Sequence, residues 1–198
     1  ETAWSVWPTW ESWNWPGHEG KQIDVEIYSR YPAVRLYLNG KLVAERPTTR
    51  REEYKAVIPV AYEAGTLRVV GLVDGREVDP QTLETAGRPD RIRLTADRDT
   101  MAADGSSLVF VTAEVVDSKG RVVPVADPLL DFSLEGGGML LATCSADLTD
   151  TTAYTLPRRK AWKGRAMAVV RSGKEAGLLT LTTKARGLKK GTVRIETE

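Results

Sequence analysis

Short runs in which apolar and polar residues alternate make up most of the chain after residue 20. Ile23, Val25 and Ile27 alternate with polar neighbours, which is typical of a β-strand with one buried face. Similar runs predict strands at residues 34–38, 41–44, 54–60, 66–73 and 76–84, and then at 91–96, 108–116, 122–123, 129–134, 139–143, 165–171, 177–184 and 192–196. Helical periodicity is missing throughout, so the pattern predicts an all-β protein.

Turn residues divide these strands into two groups. Asn39-Gly40 is the residue pair favoured in a type I′ hairpin turn, and Asp74-Gly75 marks another turn. The best boundary is Gly87-Arg88-Pro89-Asp90, because Pro89 has no amide proton to donate to a strand ladder. We therefore predict two tandem Ig-like β-sandwich domains, residues 21–86 and 87–198, preceded by a Trp-rich extended segment, residues 1–20.

Tryptophan is concentrated in front of the first predicted strand. Five of the six tryptophans lie there: Trp4, Trp7, Trp10, Trp13 and Trp15. Their spacing would suit a helix, but Pro8 and Pro16 interrupt any regular element. A tryptophan ring offers a large apolar face, so the first four are candidates for docking onto a neighbouring domain or for carbohydrate binding, with docking or packing preferred. Trp13 and Trp15, nearer the first strand, are expected to pack on the first sandwich.

Composition and charge exclude several classes of protein. Hydrophobic residues make up 41% of the 198 residues, too many for a disordered tail. The 28 basic and 27 acidic side chains almost cancel, which gives no overall field for attracting nucleic acid. The basic run Arg158-Arg159-Lys160, close to Trp162, is interpreted as a solvated loop. The apolar runs are also far too short for a membrane span, so we expect neither nucleic acid nor a membrane span.

Few residues are suited to metal or nucleophile chemistry. His18 is the only histidine and sits in a predicted turn, while the lone Cys144 excludes an internal disulfide and is expected to pack as a small group. The glycines at 136–138 lack a following Lys-Ser or Lys-Thr and are expected to form a loop between strands. Asp147 and Asp150 lack an EF-hand pattern, so they are weak evidence for calcium. We therefore expect no metal and no cofactor.

Several motifs in the same order resemble one family. The segments 13–21, 24–28 and 36–41 resemble the region after the catalytic barrel in glycoside hydrolase family 2, especially in β-galactosidase-like members of Bacteroidetes. Pro89 and the segments 91–98, 103–105, 111–117, 132–136 and 168–173 resemble that family's C-terminal Ig-like domain, which is similar to the Ig-like modules of invasins and intimins. The chain departs from the family at Cys144-Ser145-Ala146-Asp147-Leu148, where members usually carry a Gly-Asn-Gly-Asp stretch.

The resemblance implies an accessory role in carbohydrate breakdown. The family's acid/base and nucleophile glutamates belong to a barrel upstream of Glu1, so no residue here inherits a catalytic role and the isolated chain is expected to be inactive. We expect this chain to be a piece of a longer periplasmic or secreted enzyme that hydrolyses β-galactosides with retention through a carboxylate pair. Its expected partner is the catalytic barrel. Two alternatives stay open: a stand-alone module that binds oligo- or polysaccharide, and an Ig-like cell-surface spacer.

Overall fold

The structure, a computed structural model, describes residues 10–198 and is built almost entirely of β-strands. It divides into two compact units, Glu1–Thr85 and Ala86–Glu198, the first of which is described from residue 10 onwards. Among the described residues the helical structure is one short 3-10 turn, Arg50–Glu52, and no helix is long and apolar enough to cross a membrane. The predicted all-β class is confirmed.

The first unit is an unequal sandwich of six strands. They are β1 (Gln22–Tyr28), β2 (Ala33–Leu38), β3 (Lys41–Pro47), β4 (Lys55–Ala61), β5 (Thr66–Val73) and β6 (Arg76–Glu84). β1 and β4 form a two-stranded antiparallel sheet, and the other strands form a four-stranded antiparallel sheet in the order β3-β2-β5-β6. Ile27 and Ile58 from the smaller sheet pack with Leu36 from the larger one. A two-stranded sheet cannot cover the whole inner face of a four-stranded sheet, so another segment must complete the core.

Two hairpin turns in this unit follow directly from their sequences. Asn39 and Gly40 have φ values of 50° and 78°, and Asp74 and Gly75 have φ values of 49° and 74°. Positive φ at both central residues is what a type I′ turn requires, so the prediction for Asn39-Gly40 is confirmed. The Asn39 Oδ1 atom also accepts a hydrogen bond from the Thr66 N–H at 2.8 Å, which ties this turn to the start of β5.

The second unit is a sandwich of nine strands around a larger core. They are β7 (Arg91–Ala96), β8 (Thr100–Met101), β9 (Leu108–Val116), β10 (Leu129–Glu135), β11 (Met139–Cys144), β12 (Arg158–Lys160), β13 (Arg165–Arg171), β14 (Gly177–Lys184) and β15 (Gly191–Thr197). One sheet has the order β11-β13-β9-β7 and the other the order β12-β10-β14-β15-β8. Val111 and Ala168 of the first sheet pack with Leu130 and Leu181 of the second in one buried cluster.

Three short segments differ from the sequence-based prediction. Val122 forms an isolated bridge with Val116, so residues 122–123 are not a full strand as expected. β8 was not predicted, because two residues paired with β15 give no periodic pattern. The prediction of a solvated loop at Arg158-Arg159-Lys160 is wrong: these residues form β12, and Arg159 is 1% exposed. Burial of this arginine is possible because its guanidinium donates to backbone carbonyls that surround it.

A buried carboxylate holds the start of the second unit. Asp117 accepts hydrogen bonds from the Gly87 N–H at 2.8 Å and from the backbone N–H groups of Lys119 and Arg121 at 2.9 Å. The Arg121 side chain pairs with the same carboxylate. Burial alone would raise the pKa of Asp117, but these donors outweigh it and hold the pKa well below its usual range. Gly87, on the predicted boundary, is thereby bonded to the second unit.

The domain boundaries stay a prediction that a fragment can test. A fragment of residues 86–198 is expected to unfold in one cooperative transition, because the core of the second unit is formed by residues from Ala86 onwards. Urea unfolding followed by circular dichroism would measure this. A shorter fragment beginning at residue 92 should be less stable, since it lacks the Gly87–Asp117 hydrogen bond, the Asp90–Lys189 ion pair and the first residue of β7. A gradual, non-cooperative loss of structure in the 86–198 fragment would contradict the two-domain prediction.

Candidate functional site

Trp13 completes the core of the first unit. Its ring is 1% exposed and meets the Tyr62 ring edge-on, with ring centroids 5.1 Å apart. The Trp13 Nε1–H donates to the Glu63 carbonyl at 2.9 Å, and the Thr85 hydroxyl donates to the Trp13 carbonyl at 2.6 Å. Trp13 therefore packs on the first sandwich, as expected. Its candidacy as a docking or sugar-binding residue stays a prediction, which a ring that is only 1% exposed does not favour.

Trp10 and Trp15 remain partly exposed on either side of Trp13. The Trp15 Nε1–H donates to the Ser12 carbonyl at 3.3 Å, and the Ser12 N–H donates to the Trp10 carbonyl at 2.8 Å. These bonds fold the segment back on itself, so that both rings lie beside β1. His18 is exposed in a turn, as predicted, with its ring 6.5 Å from that of Trp15. Of the other candidates, Trp4 and Trp7 lie outside the described residues.

A groove of about 670 Å³ runs between this segment and the two-stranded sheet. We call it the tryptophan groove. Its apolar lining comes from the tryptophan segment and four strands and consists of Trp10, Trp13, Trp15, Ile23, Val25, Val57, Leu67 and Leu83. The groove exists because the small sheet leaves part of the larger sheet's inner face to be covered by the tryptophan segment. A concave, mostly apolar surface of this kind is suited to binding another apolar surface or the C–H face of a sugar ring.

Charged groups at one end of the groove are paired with each other. The Lys55 ammonium lies 2.9 Å from the Glu26 carboxylate, and the Tyr28 hydroxyl donates to the same carboxylate at 2.7 Å. The hydrogen bond to Glu26 raises the pKa of Lys55. The Lys55 ammonium also lies over the Tyr28 ring, 5.3 Å from its centroid. These opposite charges offset each other, but Glu11 and Asp24 also line the groove, so its charged rim has an excess of acidic groups.

Sequence reasoning missed two residues that line this groove. Tyr28 is 68% exposed at the end of β1, and Val57 is 47% exposed on the outward face of β4. The sequence did contain a signal for Val57. The alternation along β4 assigns this apolar side chain to the face of the strand that is directed away from the core. Tyr28 had no comparable signal, since a tyrosine at the end of a strand is common on ordinary surfaces.

The other candidate residues have structural roles; Asp150, for example, pairs with the buried Arg159. The Asp147 carboxylate accepts from the Thr149 N–H at 2.9 Å, and the Asp150 carboxylate accepts from the Thr152 N–H at 2.9 Å. Within residues 10–198 no group of three or more His, Cys, Asp and Glu side chains is arranged to hold a metal ion. Cys144 is half-buried, and burial raises the pKa of its thiol. The glycines at 136–138 connect β10 to β11, as predicted.

Comparisons with known families match nearly the whole chain. The model of glycoside hydrolase family 2 C-terminal domain 5 matches residues 92–194. A second model, described as a domain of unknown function, matches residues 20–79. Neither match includes the segment that contains Trp10 and Trp13, which precedes residue 20.

Individual relatives are longer proteins. A β-galactosidase of Bacteroides ovatus is 32% identical over 189 residues, which are 94% of this chain and 22% of that protein. A β-glucuronidase of Formosa agariphila is 28% identical over 185 residues, covering 92% of this chain and 19% of its own length. The crystal structure of a glycosyl hydrolase family 2 member from Bacteroides cellulosilyticus superposes with a TM-score of 0.95 at 36% identity, covering 100% of this chain and 26% of that one. The chain thus spans between 19% and 26% of the length of these relatives.

Proposed function

Because the chain belongs to glycoside hydrolase family 2, by its match over more than half of its residues to a C-terminal domain of that family, we propose that it is an accessory region that supports the catalytic barrel of a longer glycosidase. The small share of its relatives that it covers supports this proposal. The reaction in the longer enzyme would be hydrolysis of a β-galactoside or a related β-glycoside. The substrate is proposed from the resemblance alone.

The tryptophan groove is the observation that carries the docking role. Trp10 is half-exposed at its mouth, and Val57 presents an apolar side chain from β4 beside it. A tryptophan buries about 150–250 Å² when fully covered, so even one ring covered by the barrel would contribute a large part of an interface. Paired charges at Glu26 and Lys55 border the apolar area, as polar groups do at the rim of many protein interfaces.

Changing the mouth of the groove in the full-length enzyme tests this proposal. We expect Trp10→Ala combined with Val57→Ser to lower the melting temperature of the catalytic part by several degrees, because the barrel loses an apolar contact. The same pair of changes in the isolated chain should leave its circular dichroism unchanged, since both side chains lie at the surface of the first unit. Differential scanning calorimetry of both proteins would measure the effect.

Tyr54→Ala is the matched control, because Tyr54 is 51% exposed on the same unit but does not line the groove. It should leave the melting temperature of the full-length enzyme unchanged. An equal loss in both variants would contradict docking through this groove. Saturable quenching of the isolated chain's tryptophan fluorescence by β-galactosides, abolished by Trp10→Ala, would instead support a sugar-binding module. Unchanged fluorescence is the outcome that docking predicts.

A further inference from the structure

A second depression, of about 430 Å³, lies in the first unit where the end of β1 faces the β5–β6 hairpin. We call it the bulge pocket; its walls include Tyr28, Tyr31, Asp79 and Gln81. Its floor is apolar and contains the buried side chain of Val70. A volume of this size falls within the range of small-molecule sites, about 300–1,000 Å³.

A β-bulge shapes one wall of this pocket. The β5–β6 register shifts between Val69 and Gly71, so that Asp79 and Pro80 together lie opposite Val70. Asp79 has a φ of 50°, a left-handed conformation that few residues other than glycine adopt. Bulges re-aim side chains and are frequent beside functional sites. In this protein the bulge brings the Asp79 carboxylate within 3.3 Å of the Tyr31 hydroxyl, which donates to it.

The opposite wall depends on a close approach between Tyr31 and the backbone of β5. A Cβ atom at Gly71 would lie 2.2 Å from the Tyr31 Cδ2 atom, so the ring can occupy its position only over a glycine. The Tyr31 N–H also donates to the Ser29 hydroxyl oxygen at 3.1 Å. The bulge at Asp79 and the close approach of Tyr31 to Gly71 therefore meet at one pocket.

The polar groups around the pocket form one network. The Gln81 Nε2–H donates to Asp79 Oδ1 at 3.3 Å, and the Arg30 guanidinium donates to the Tyr31 hydroxyl at 3.5 Å. The lining of the pocket contains one basic side chain, Arg30, and one acidic side chain, Asp79, so the pocket has no excess of either sign. An amide, a carboxylate and a guanidinium offer donors and acceptors suited to vicinal hydroxyls.

We propose that the bulge pocket binds a neutral pyranose unit of an oligosaccharide. The C–H face of the ring would lie on the apolar floor and against the Tyr28 ring, and its hydroxyls would bond to Asp79 and Gln81. This pocket shares Tyr28 with the tryptophan groove, but its other lining residues, among them Tyr31, Asp79 and Gln81, do not line that groove, so the proposal does not depend on docking of the barrel there.

An NMR titration of the 198-residue chain with β-1,4-galactotetraose and with cellotetraose tests this site. We expect at least one of the two to give saturable amide shifts at residues 28–31, 69–71 and 79–81 at millimolar ligand. Asp79→Gly removes the carboxylate and keeps a residue that tolerates positive φ; it should weaken binding about tenfold or more. Gln81→Ala should weaken binding about fivefold through the loss of a neutral hydrogen bond.

Asp74→Gly is the matched control, because Asp74 has nearly the same φ, 49°, in the turn of the same hairpin and does not line the pocket. It should bind as the parent chain does. Urea unfolding of all three variants would verify that the first unit is folded. The proposal is overturned if neither tetrasaccharide gives saturable shifts, if Asp79→Gly binds like Asp74→Gly, or if the shifts occur only around Trp10 and Trp15. The last result would place the sugar in the tryptophan groove instead.

Discussion

Replacing Trp13 by alanine is expected to lower the free energy of unfolding of the first unit by about 3–5 kcal/mol. The ring is 1% exposed and packs with residues of both sheets, so its removal leaves a cavity that the sheets cannot easily close. The Glu63 carbonyl also loses its hydrogen bond to the indole. Small domains are stable by only about 5–15 kcal/mol, so this single change removes a large part of the total.

Differential scanning calorimetry of the whole chain would measure the effect of Trp13→Ala. Trp13→Phe should cost less, because it keeps an aromatic ring in the core and loses the indole N–H. Trp10→Ala is the matched control and should change the stability of the isolated chain by less than about 1 kcal/mol, since the Trp10 ring is already partly in water. Equal losses for Trp10→Ala and Trp13→Ala would show that the core does not depend on Trp13.

Replacing Arg159 by leucine is expected to destabilise the second unit by about 3–5 kcal/mol. One guanidinium nitrogen of Arg159 donates to the Asp150 carboxylate at 2.8 Å and to the Thr152 carbonyl at 2.9 Å. The other donates to the carbonyls of Thr143 at 2.7 Å and Ala153 at 3.1 Å. Leucine would leave these acceptors without donors, and the loop that they form, residues 143–153, would have to rearrange.

The neighbouring residue provides a control for this change. Arg158→Leu removes the same charge from β12 at an exposed position, and it should change stability by less than about 0.5 kcal/mol. Arg159→Lys should fall between the two, because an ammonium keeps the charge but cannot reproduce the fork of the guanidinium. Urea unfolding followed by circular dichroism would rank the three variants. If Arg158→Leu and Arg159→Leu proved equally harmful, net charge rather than the buried fork would be responsible.

Alternation along the chain was sufficient to predict most of the strands. In β9 the residues Val109, Val111, Ala113 and Val115 are buried, and the alternate positions from 108 to 114 are more exposed, which is the two-residue period seen in the sequence. Such a strand has its own hydrophobic pattern and needs no distant partner to be recognised. The two type I′ turns were equally local, because the residues that tolerate positive φ are adjacent in the sequence.

Two features that sequence reasoning missed depend on contacts that no local pattern records. Arg159 looks like a surface residue until the carbonyls of residues 143, 152 and 153 surround it, and no local pattern records those acceptors. The tryptophan cluster pointed to the correct region of the first unit, but it did not separate buried Trp13 from half-exposed Trp10. That difference depends on contacts between Trp13 and residues 62 and 63, about fifty positions further along the chain. The resemblance of the second half to adhesin modules stays a prediction.

The two-stranded sheet leaves a backbone edge beside the tryptophan groove, and this edge has a consequence for hydrogen exchange. Among the described residues β1 pairs with β4 alone, and in an antiparallel pair alternate residues direct their amides away from the partner strand. The Ser29 N–H bonds to the Tyr54 carbonyl, so the amides of Ile23 and Val25 face β4, and those of Gln22 and Asp24 face outwards. Outward amides exchange quickly in water and become protected when a further strand pairs with them. Exchange rates at Gln22 and Asp24 would therefore distinguish a polypeptide that extends this sheet from an occupant that covers only the side chains.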